Sequence, residues 1–452
     1  MDSILQAIVE AGGWPLKIGG CVRDKILNIP NKDIDIEVYD MPIDNLVDVL
    51  AQFGSVNVVG KSFGVIKLST PDGEFDFSIP RRDSKIGVGH TGFRVELDHT
   101  MTVVDAAFRR DFTINAIGEN IHGEIIDPFG GVQDIRNGVL RATSHLFKDD
   151  PLRVLRGFQF AARYRMVADT RLIEVCREIF HCAGELPVER VWGEWFKWAS
   201  RGVKPSMGLN FLLKSNWIES HPELVNILRV PQDPEWHPEG DVWAHTLHVC
   251  DAAAVIADRE GLVGEDRAVL VLAALCHDLG KAFPMNGGTT AFVDGRWRSH
   301  AHAEAGVPLA ESFLKRIGCF DRMIERILPL VREHMVSAAC DLSERSVRRL
   351  SSRMGKSTIR ELLLLIEADH NGRPPLPGGL PESALFIADT ASKLALEDAK
   401  PKPIVLGRHL IELGLVPGVE FGKILKVCFE AQLDGAFSTV EGGMIFLKTV
   451  VG

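Results

Sequence analysis

The sequence predicts an α/β head with a small mixed sheet, followed by an all-α neck and body, a second all-α domain and a helical tail. Three observations predict it. Residues 1 to about 140 alternate short β-branched runs (56–59, 64–69, 74–79) with Gly, Pro and Asp turns. From Asp150 onward the apolar residues fall at helical spacing: Leu152, Leu155 and Phe158, then Leu172, Val175 and Ile179, then Val191, Trp195 and Phe196. Two Pro-rich breaks, at 231–238 and 373–380, interrupt the helical part. The expected domains are therefore 1–140, 141–230, 231–375 and 376–452.

With 452 residues and 46% hydrophobic content the chain can bury several cores. The apolar run at 268–276 is too short to span a bilayer and reads as a buried helix, so no membrane association is expected. The first 11 residues carry no basic region and no cleavage site, which points to the cytoplasm. Eight cysteines stand singly without a C-x-x-C, a pattern of reduced thiols. A net charge of −10 excludes nonspecific coating of RNA; any polyanion must be held by local basic patches.

The head opens on Ile18-Gly19-Gly20-Cys21-Val22-Arg23-Asp24, in which the Gly-Gly turn starts a helix over 22–27 whose free N–H groups suit a triphosphate. Asp33-Ile34-Asp35 follows. Residues i and i+2 of a strand share a face, so Asp33 and Asp35 are placed to hold two divalent metals side by side. Asp76 is read either as a third metal carboxylate or as part of a solvated strand face. Farther on come Arg109-Arg110-Asp111-Phe112-Thr113-Ile114-Asn115, Asp127-Pro128-Phe129-Gly130-Gly131, and Asp149-Asp150-Pro151-Leu152-Arg153-Val154-Leu155-Arg156.

In this order the motifs resemble those of class II tRNA nucleotidyltransferases and the related bacterial poly(A) polymerases, over about the first 200 residues. The resemblance implies a Pol-β-like head in which Asp33 and Asp35 bind two Mg²⁺ ions. One ion activates the RNA 3′-hydroxyl and the other steadies the leaving pyrophosphate. It further implies that Gly19, Gly20, Arg23 and Asp24 shape the phosphate loop. Arg109, Arg110 and Asp111 hold the phosphates and ribose, and Asn115 and Arg156 belong to the same nucleotide-binding set.

Asp150 and Arg153, three apart on a helix, can present a carboxylate beside a guanidinium. That pair complements the amine and ring nitrogen shared by cytosine and adenine, and in the family it selects CTP and then ATP. The bland alternative is an N-cap followed by Pro at N1. The chain departs from the family at Asp149, where Glu is usual, and at Gln159, where Arg is usual. The Gly-rich, polar segment 80–103 stands where the family has a mobile loop used in switching from C to A addition. Trp192, Trp195 and Trp198 read as core or, alternatively, as a base-stacking stripe.

In the second all-α domain, His245, His277-Asp278, His302, His334 and Asp369 occur in the order H, HD, H, H, D, which resembles the HD phosphohydrolase superfamily. Imidazoles with carboxylates suit a divalent transition metal. The resemblance implies His245, His277, Asp278 and Asp369 as ligands, and His302 and His334 as second-metal or phosphate contacts. His237, His248 and His300 are read as core. A basic cluster (Arg345, Arg348, Arg349, Arg353, Lys356, Arg360) is either an RNA-phosphate patch or a solvated face. The tail around 406–418 resembles the C-terminal segment that contacts the tRNA body.

Head and HD module together resemble bacterial tRNA nucleotidyltransferases with phosphohydrolase activity toward 2′,3′-cyclic and 2′-phosphates. The expectation is addition of the 3′-terminal CCA to tRNA from CTP and ATP, with tRNA as partner and no obligate protein partner. The rivals are a poly(A) polymerase or A-adding enzyme and, from another class, an HD phosphohydrolase whose head only binds RNA.

Overall fold

The computed structural model describes residues 1–31, 33–59, 64–85, 93–338 and 342–452. The chain divides into two compact units, one of 1–198 with 202–220, the other of 199–201 with 221–452.

The first unit begins with α1 (Asp2–Glu10), β1 (Trp14–Ile18), α2 (Gly20–Ile26), β2 (Asp35–Tyr39), α3 (Ile43–Leu50), β3 (Ser55–Val59), β4 (Val65–Thr70) and β5 (Gly73–Ser78). A hairpin of β6 (Arg81–Lys85) and β7 (Phe93–Leu97) follows, then α4 (Val103–Phe108), β8 (Gly118–Glu119), β9 (Ile125–Ile126), α5 (Gly131–Asn137) and β10 (Val139–Leu140). The glycine run 87–92 of the expected loop lies outside the described residues. Seven strands form one sheet in the order β3-β4-β5-β2-β1-β8-β9. Only β2 and β5 are parallel in it, so the sheet is mixed as the sequence predicts.

Strand alternation explains the sheet's two faces. Ile36 and Val38 of β2 join Phe77 of β5, Ile4, Leu5 and Ile8 of α1, and Leu46, Val49 and Leu50 of α3 in one apolar cluster. Asp35 and Glu37 point to the opposite face. On that face Tyr39 packs with Leu16, Met101 and Ala106 under α4.

The helical half of this unit holds α6 (Leu152–Tyr164), β11 (Val167–Ala168), α7 (Thr170–Glu178), α8 (Val188–Arg201) and α9 (Pro205–Lys214). Gly157 allows α6 to approach α9: a Cβ there would lie 2.9 Å from the Phe211 ring. The tryptophan stripe is core. Trp195 and Trp198 are fully buried against Phe158, with ring centroids 4.6 and 5.5 Å away, and the Trp198 indole N–H donates to the Pro205 carbonyl at 3.0 Å.

The second unit starts ahead of the 231–238 break because α10 (Pro222–Val225) belongs with the helices that follow. Glu223 accepts hydrogen bonds from Ser312 at 2.6 Å and Arg316 at 3.0 Å. Then come α11 (Val242–Arg259), α12 (Gly264–Cys276), the hairpin β12 (Thr290–Val293) and β13 (Arg296–Ser299), α13 (His302–Arg316), α14 (Asp321–Glu333), α15 (Glu344–Arg353), α16 (Ile359–Asn371), α17 (Glu382–Lys393), α18 (Gly407–Glu412), α19 (Val419–Leu433) and α20 (Val440–Val451). The tail builds its own small core from Val405, Leu410, Cys428, Phe437 and Leu447.

The arginines of the basic cluster are ion-paired or hydrogen-bonded within the second unit, while Lys356 is exposed. Arg345 and Arg349 bind Asp434, Arg348 donates to the Leu433 carbonyl, Arg353 pairs with Glu333 and Arg360 with Asp398. These contacts stitch α15 and α16 to α14 and to the chain beyond. Among the described residues no helix is long and apolar enough to cross a membrane, and the described cysteines are free thiols; Cys340 lies outside them.

Removing the Trp195 side chain leaves a large void beside Phe158. Trp195→Ala is expected to destabilise the first unit by about 3–5 kcal/mol. A lowered midpoint for that unit in denaturant, followed by near-UV circular dichroism, checks this; an unchanged midpoint contradicts the packing role.

Candidate functional site

The head site is built on buried charge. At the end of β1 the chain turns at Gly19, whose φ of +69° is a left-handed conformation that glycine adopts without strain. Gly20 then opens α2, and Arg23 and Asp24 are buried within it. Asp24 accepts from Arg23 Nε at 2.8 Å, Asn31 Nδ2 at 2.9 Å and the Tyr164 hydroxyl at 3.2 Å. Asn31 Oδ1 in turn accepts the Asp33 N–H at 2.9 Å. A buried carboxylate four residues into the helix region thus anchors the loop that presents the exposed Asp33.

Asp35 stands two residues on, at the start of β2, and its register partner in the parallel pairing is Asp76 of β5. Burial raises the Asp35 carboxyl above its ordinary value, the Asp76 and Asp33 charges add to this, and Arg110 opposes it. Three carboxylates gathered in this way repel one another, which is the electrostatic setting that a hard divalent cation relieves.

Behind them Glu37 is buried and holds the arginines: Arg110 Nη2 lies 3.2 Å and Arg109 Nη2 3.6 Å from its carboxylate, and the Tyr39 hydroxyl donates to it at 2.5 Å. Arg110 also donates to the Asn115 carbonyl at 2.9 Å. Asp111 accepts from the Phe112 N–H, from Asn115 Nδ2 at 2.9 Å and from Arg156 Nε at 2.7 Å. Burial works against ionising Asp111, and Arg156 and Asn115 more than offset it, so its carboxyl stays below its ordinary value. Asn115 Oδ1 then accepts from Arg23 Nη1 at 2.5 Å, closing a continuous polar chain from Arg156 to Tyr164.

Asp150 and Arg153 are joined through the backbone, the Arg153 N–H donating to the Asp150 carbonyl at 3.0 Å, while their side chains take other partners. Asp150 accepts from the Leu152 N–H at 3.1 Å and from Arg190 at 3.2 Å. Arg153 donates to the carbonyls of Leu146 and Arg109, each at 2.7 Å. Gln159 is buried with its Oε1 free of any hydrogen bond among the described residues.

In the second unit, α11 carries His245, the end of α12 leads into His277 and Asp278, α13 begins at His302, His334 follows α14, and Asp369 lies in the last turn of α16. His245 Nε2 is 3.0 Å from Asp369 Oδ1 and 3.3 Å from His277 Nε2; the latter is 3.1 Å from Asp278 Oδ2. Against the other Asp278 oxygen stand His302 Nε2 at 3.3 Å and His334 Nε2 at 3.8 Å, themselves 3.1 Å apart.

The outer ring nitrogens settle the tautomers. Nδ1 of His277, His302 and His334 lies 2.8, 2.8 and 2.7 Å from the carbonyls of Ala274, Ser299 and Val331. A carbonyl only accepts, so each Nδ1 carries a proton and each Nε2 turns a lone pair inward. Burial, with His302 and His277 nearby, pushes His334 down to about 3. For His245 burial acts in the same sense, but hydrogen bonds with Asp369 and Glu239 more than offset it and raise it to about 9. Asp278 is buried and neither of its oxygens has a well-aligned hydrogen bond. The donor atoms of His245, His277 and Asp369 lie within 4.8 Å of one another, as do those of Asp278, His302 and His334, so these two groups would suit divalent cations.

The described chain matches two family models: the Poly A polymerase head domain over residues 17–141 and the HD domain over residues 242–374. A multifunctional CCA protein of Vibrio parahaemolyticus is 31% identical over 384 residues, covering 82% of this chain and 88% of that one. The multifunctional CCA protein of Vibrio cholerae is 32% identical over 407 residues, covering 87% and 94%. The chain belongs to the multifunctional CCA protein family. Among solved structures, Bacillus stearothermophilus CCA-adding enzyme in complex with CTP superposes with a TM-score of 0.64 at 18% identity, covering 99% of this chain and 96% of that one. Thermotoga maritima CCA-adding enzyme complexed with tRNA gives 0.63 at 18%, covering 100% and 94%. At that identity the likeness establishes the fold.

For this family member, sequence reasoning passed over several groups that the structure brings to the two sites. Glu37 continues the same strand face as Asp33 and Asp35, a signal that the period of two already carried. Glu239 lies 2.8 Å from His245 Nδ1 and 2.9 Å from His237 Nδ1, so His237, read as core, borders the metal ligands. Lys281 Nζ is 2.8 Å from Asp278 Oδ2, 2.8 Å from Gln232 Oε1 and 3.5 Å from His237 Nε2.

An Asp278 shared by ions in both groups would make a stoichiometric prediction. In an Asp33→Ala background, Co²⁺ is expected to bind at two nitrogen-coordinated sites per chain, read by metal analysis and by the visible d–d spectrum. Adding His302→Ala with His334→Ala should remove one equivalent and Asp278→Ala both; equal losses in the two variants would contradict that sharing.

Proposed function

We propose that this protein adds C, C and A in turn to the 3′ end of tRNA, using CTP and ATP, and that its HD centre hydrolyses 2′,3′-cyclic or 2′-phosphates at RNA ends. The observation that carries the first activity is the convergence of Asp33, Asp35 and Asp76 beside a buried set of arginines. The RNA 3′-oxygen attacks the α-phosphorus, the bond from that phosphorus to the bridging oxygen breaks, pyrophosphate leaves, and the hydroxyl proton is lost. Asp33 and Asp35, with Asp76 as a further carboxylate, would hold two Mg²⁺ ions, which would supply charge neutralisation at the attacking and leaving oxygens.

Arg109 and Arg110, aligned by Glu37, hold the triphosphate, and the Asp111–Arg156 pair fixes the segment that carries them. Gly19, Gly20, Arg23 and Asp24 shape the turn against the phosphates. Asp150 and Arg153 select the base. A carboxylate offers about four lone-pair sites and a guanidinium about five N–H donors, so both residues can keep their present partners and still meet a base edge. Cytosine and adenine present an amine to Asp150 and a ring nitrogen to Arg153.

In the HD centre His245, His277, Asp278 and Asp369 would hold a divalent transition metal, and His302 and His334 would hold a second or contact the phosphate. A water oxygen attacks the phosphorus, one ester P–O bond breaks, and the departing ribose oxygen takes a proton; Lys281 and His237 border the phosphate. We assign 1–140 to the head, 141–230 to base selection and RNA binding, 231–375 to the phosphohydrolase and 376–452 to tRNA contact, in a cytoplasmic enzyme.

The test offers a tRNA lacking its last three nucleotides with Mg²⁺, CTP and ATP, and sequences the products. Addition of C, C and A followed by arrest is expected; A tracts would identify a poly(A) or A-adding enzyme, and no addition would leave the head as an RNA-binding module. Loss of a metal carboxylate forfeits several kcal/mol of charge stabilisation, so Asp33→Ala should slow addition roughly a thousandfold or more and spare the phosphohydrolase. His277→Ala with Asp278→Ala should do the reverse.

A further inference from the structure

The HD centre is rimmed by exposed aromatic rings whose positions are fixed by the metal-site residues themselves. On one side Trp236, 58% exposed, directly precedes His237, whose ring centroid is 4.8 Å from that of His245. On the other side the β12–β13 hairpin carries Phe292, 60% exposed, whose ring lies 5.1 Å from that of its register partner Trp297.

The hairpin is pressed onto the HD loop. The Thr290 hydroxyl donates to the Lys281 carbonyl at 2.5 Å, the Thr289 N–H to the Gly280 carbonyl at 2.9 Å, and the Thr290 N–H to the Ala282 carbonyl at 3.2 Å. Gly288 is required for this approach, since a Cβ there would stand 2.0 Å from the Ala282 carbonyl oxygen. At the hairpin's other end, the Ser299 carbonyl accepts from His302. Arg296 ties the two sides together, 2.9 Å from Glu235 and 3.6 Å from Asp233. Thr290, Phe292, Trp297 and Ser299 share one face of the hairpin by strand alternation and register, and Thr290 and Ser299 are the residues that meet the metal loop.

Two large rings left in water, each in a segment tied to the HD loop, forgo about 1.5–3 kcal/mol of burial each. What fits them has a flat apolar face and a phosphate a few ångströms away: the phosphate belongs at Lys281 and the metal ligands, and the face belongs on the rings. Exposed aromatic rings are the chemistry that holds unpaired bases of single strands irrespective of sequence.

We propose that Trp236 and Phe292 form a nucleobase clamp, with Trp297 as its buttress, that makes the HD centre specific for the terminal nucleotide of an RNA rather than for phosphate esters at large. This rests on the phosphohydrolase reading of that centre. It requires no sequence preference, because stacking is available to every base.

The test uses the full chain loaded with Co²⁺ and compares adenosine 2′,3′-cyclic phosphate with glycerol 1,2-cyclic phosphate, which has no ring to stack, following both by ³¹P NMR. Stacking is worth about 1–3 kcal/mol per base. The double variant Trp236→Ala, Phe292→Ala should therefore raise KM for the nucleotide roughly 5- to 150-fold with kcat little changed, and leave the glycerol ester untouched. Trp236→Phe with Phe292→Tyr should restore the nucleotide KM. If the double variant acts alike on both substrates, or on neither, the clamp is wrong while the phosphohydrolase stands. If the unaltered protein opens neither ester, the phosphohydrolase reading fails and the clamp with it.

Discussion

A carboxylate withdrawn from water must be compensated, and both sites of this protein are organised by how that is done. In the first unit Asp24, Glu37 and Asp111 are buried, and arginines answer each: Arg23 for Asp24, Arg109 and Arg110 for Glu37, Arg156 for Asp111. These pairs lie end to end through Asn115, so the turn after β1, the loop bearing Asp33 and helix α6 share one electrostatic framework. Removing any one charge would strand its partner in the interior. The exposed carboxylates are thereby presented by a rigid support rather than by a loop free to move.

Asp278 is compensated differently. Lys281 reaches one of its oxygens, and the rest of its surroundings are imidazoles whose protons are committed to backbone carbonyls on the far side. A shell of lone pairs around a buried anion has no internal solution; it is arranged for cations. The donor types then separate the two sites. Carboxylate oxygens at the exposed start of a central strand leave room for water and triphosphate oxygens, as a hard ion demands. A mixed nitrogen and oxygen shell closed within a helical core suits a transition metal.

What the sequence made legible follows from the range of the interactions. Asp33 and Asp35 are two residues apart on a strand, and His277 and Asp278 are adjacent, so local periodicity found them. Asp76 reaches Asp35 only through the parallel pairing of β2 with β5, a register that no local pattern encodes. The ion pairs of the α15 arginines were not legible because their counter-charge, Asp434, enters from the tail, about 85 residues away in sequence. His237 looked like core for a related reason: its partner Glu239 is close by, but its neighbour Lys281 arrives from the HD loop. The tryptophans, by contrast, followed helical spacing into the interior, where amphipathic pattern alone was sufficient.

The placement of Arg153 links base choice to phosphate binding. Its two donors end on the carbonyls of Leu146 and Arg109, so the guanidinium proposed to read the base is braced by the backbone of a residue proposed to hold the phosphates. Burial lowers its pKa below the ordinary value, with Asp111 and Asp150 opposing this, so the cation sits where bulk water screens it least. Asp150 is braced in the same manner by the Leu152 N–H and Arg190. Side chains that read a base must hold their geometry before the base arrives, because discrimination comes from unmet donors and acceptors and not from attraction alone. A carboxylate and a guanidinium bonded to each other would spend on that pair groups that could otherwise meet a base. Held apart, each by its own backbone partner, they keep unused lone pairs and N–H groups that only a base of matching polarity can meet.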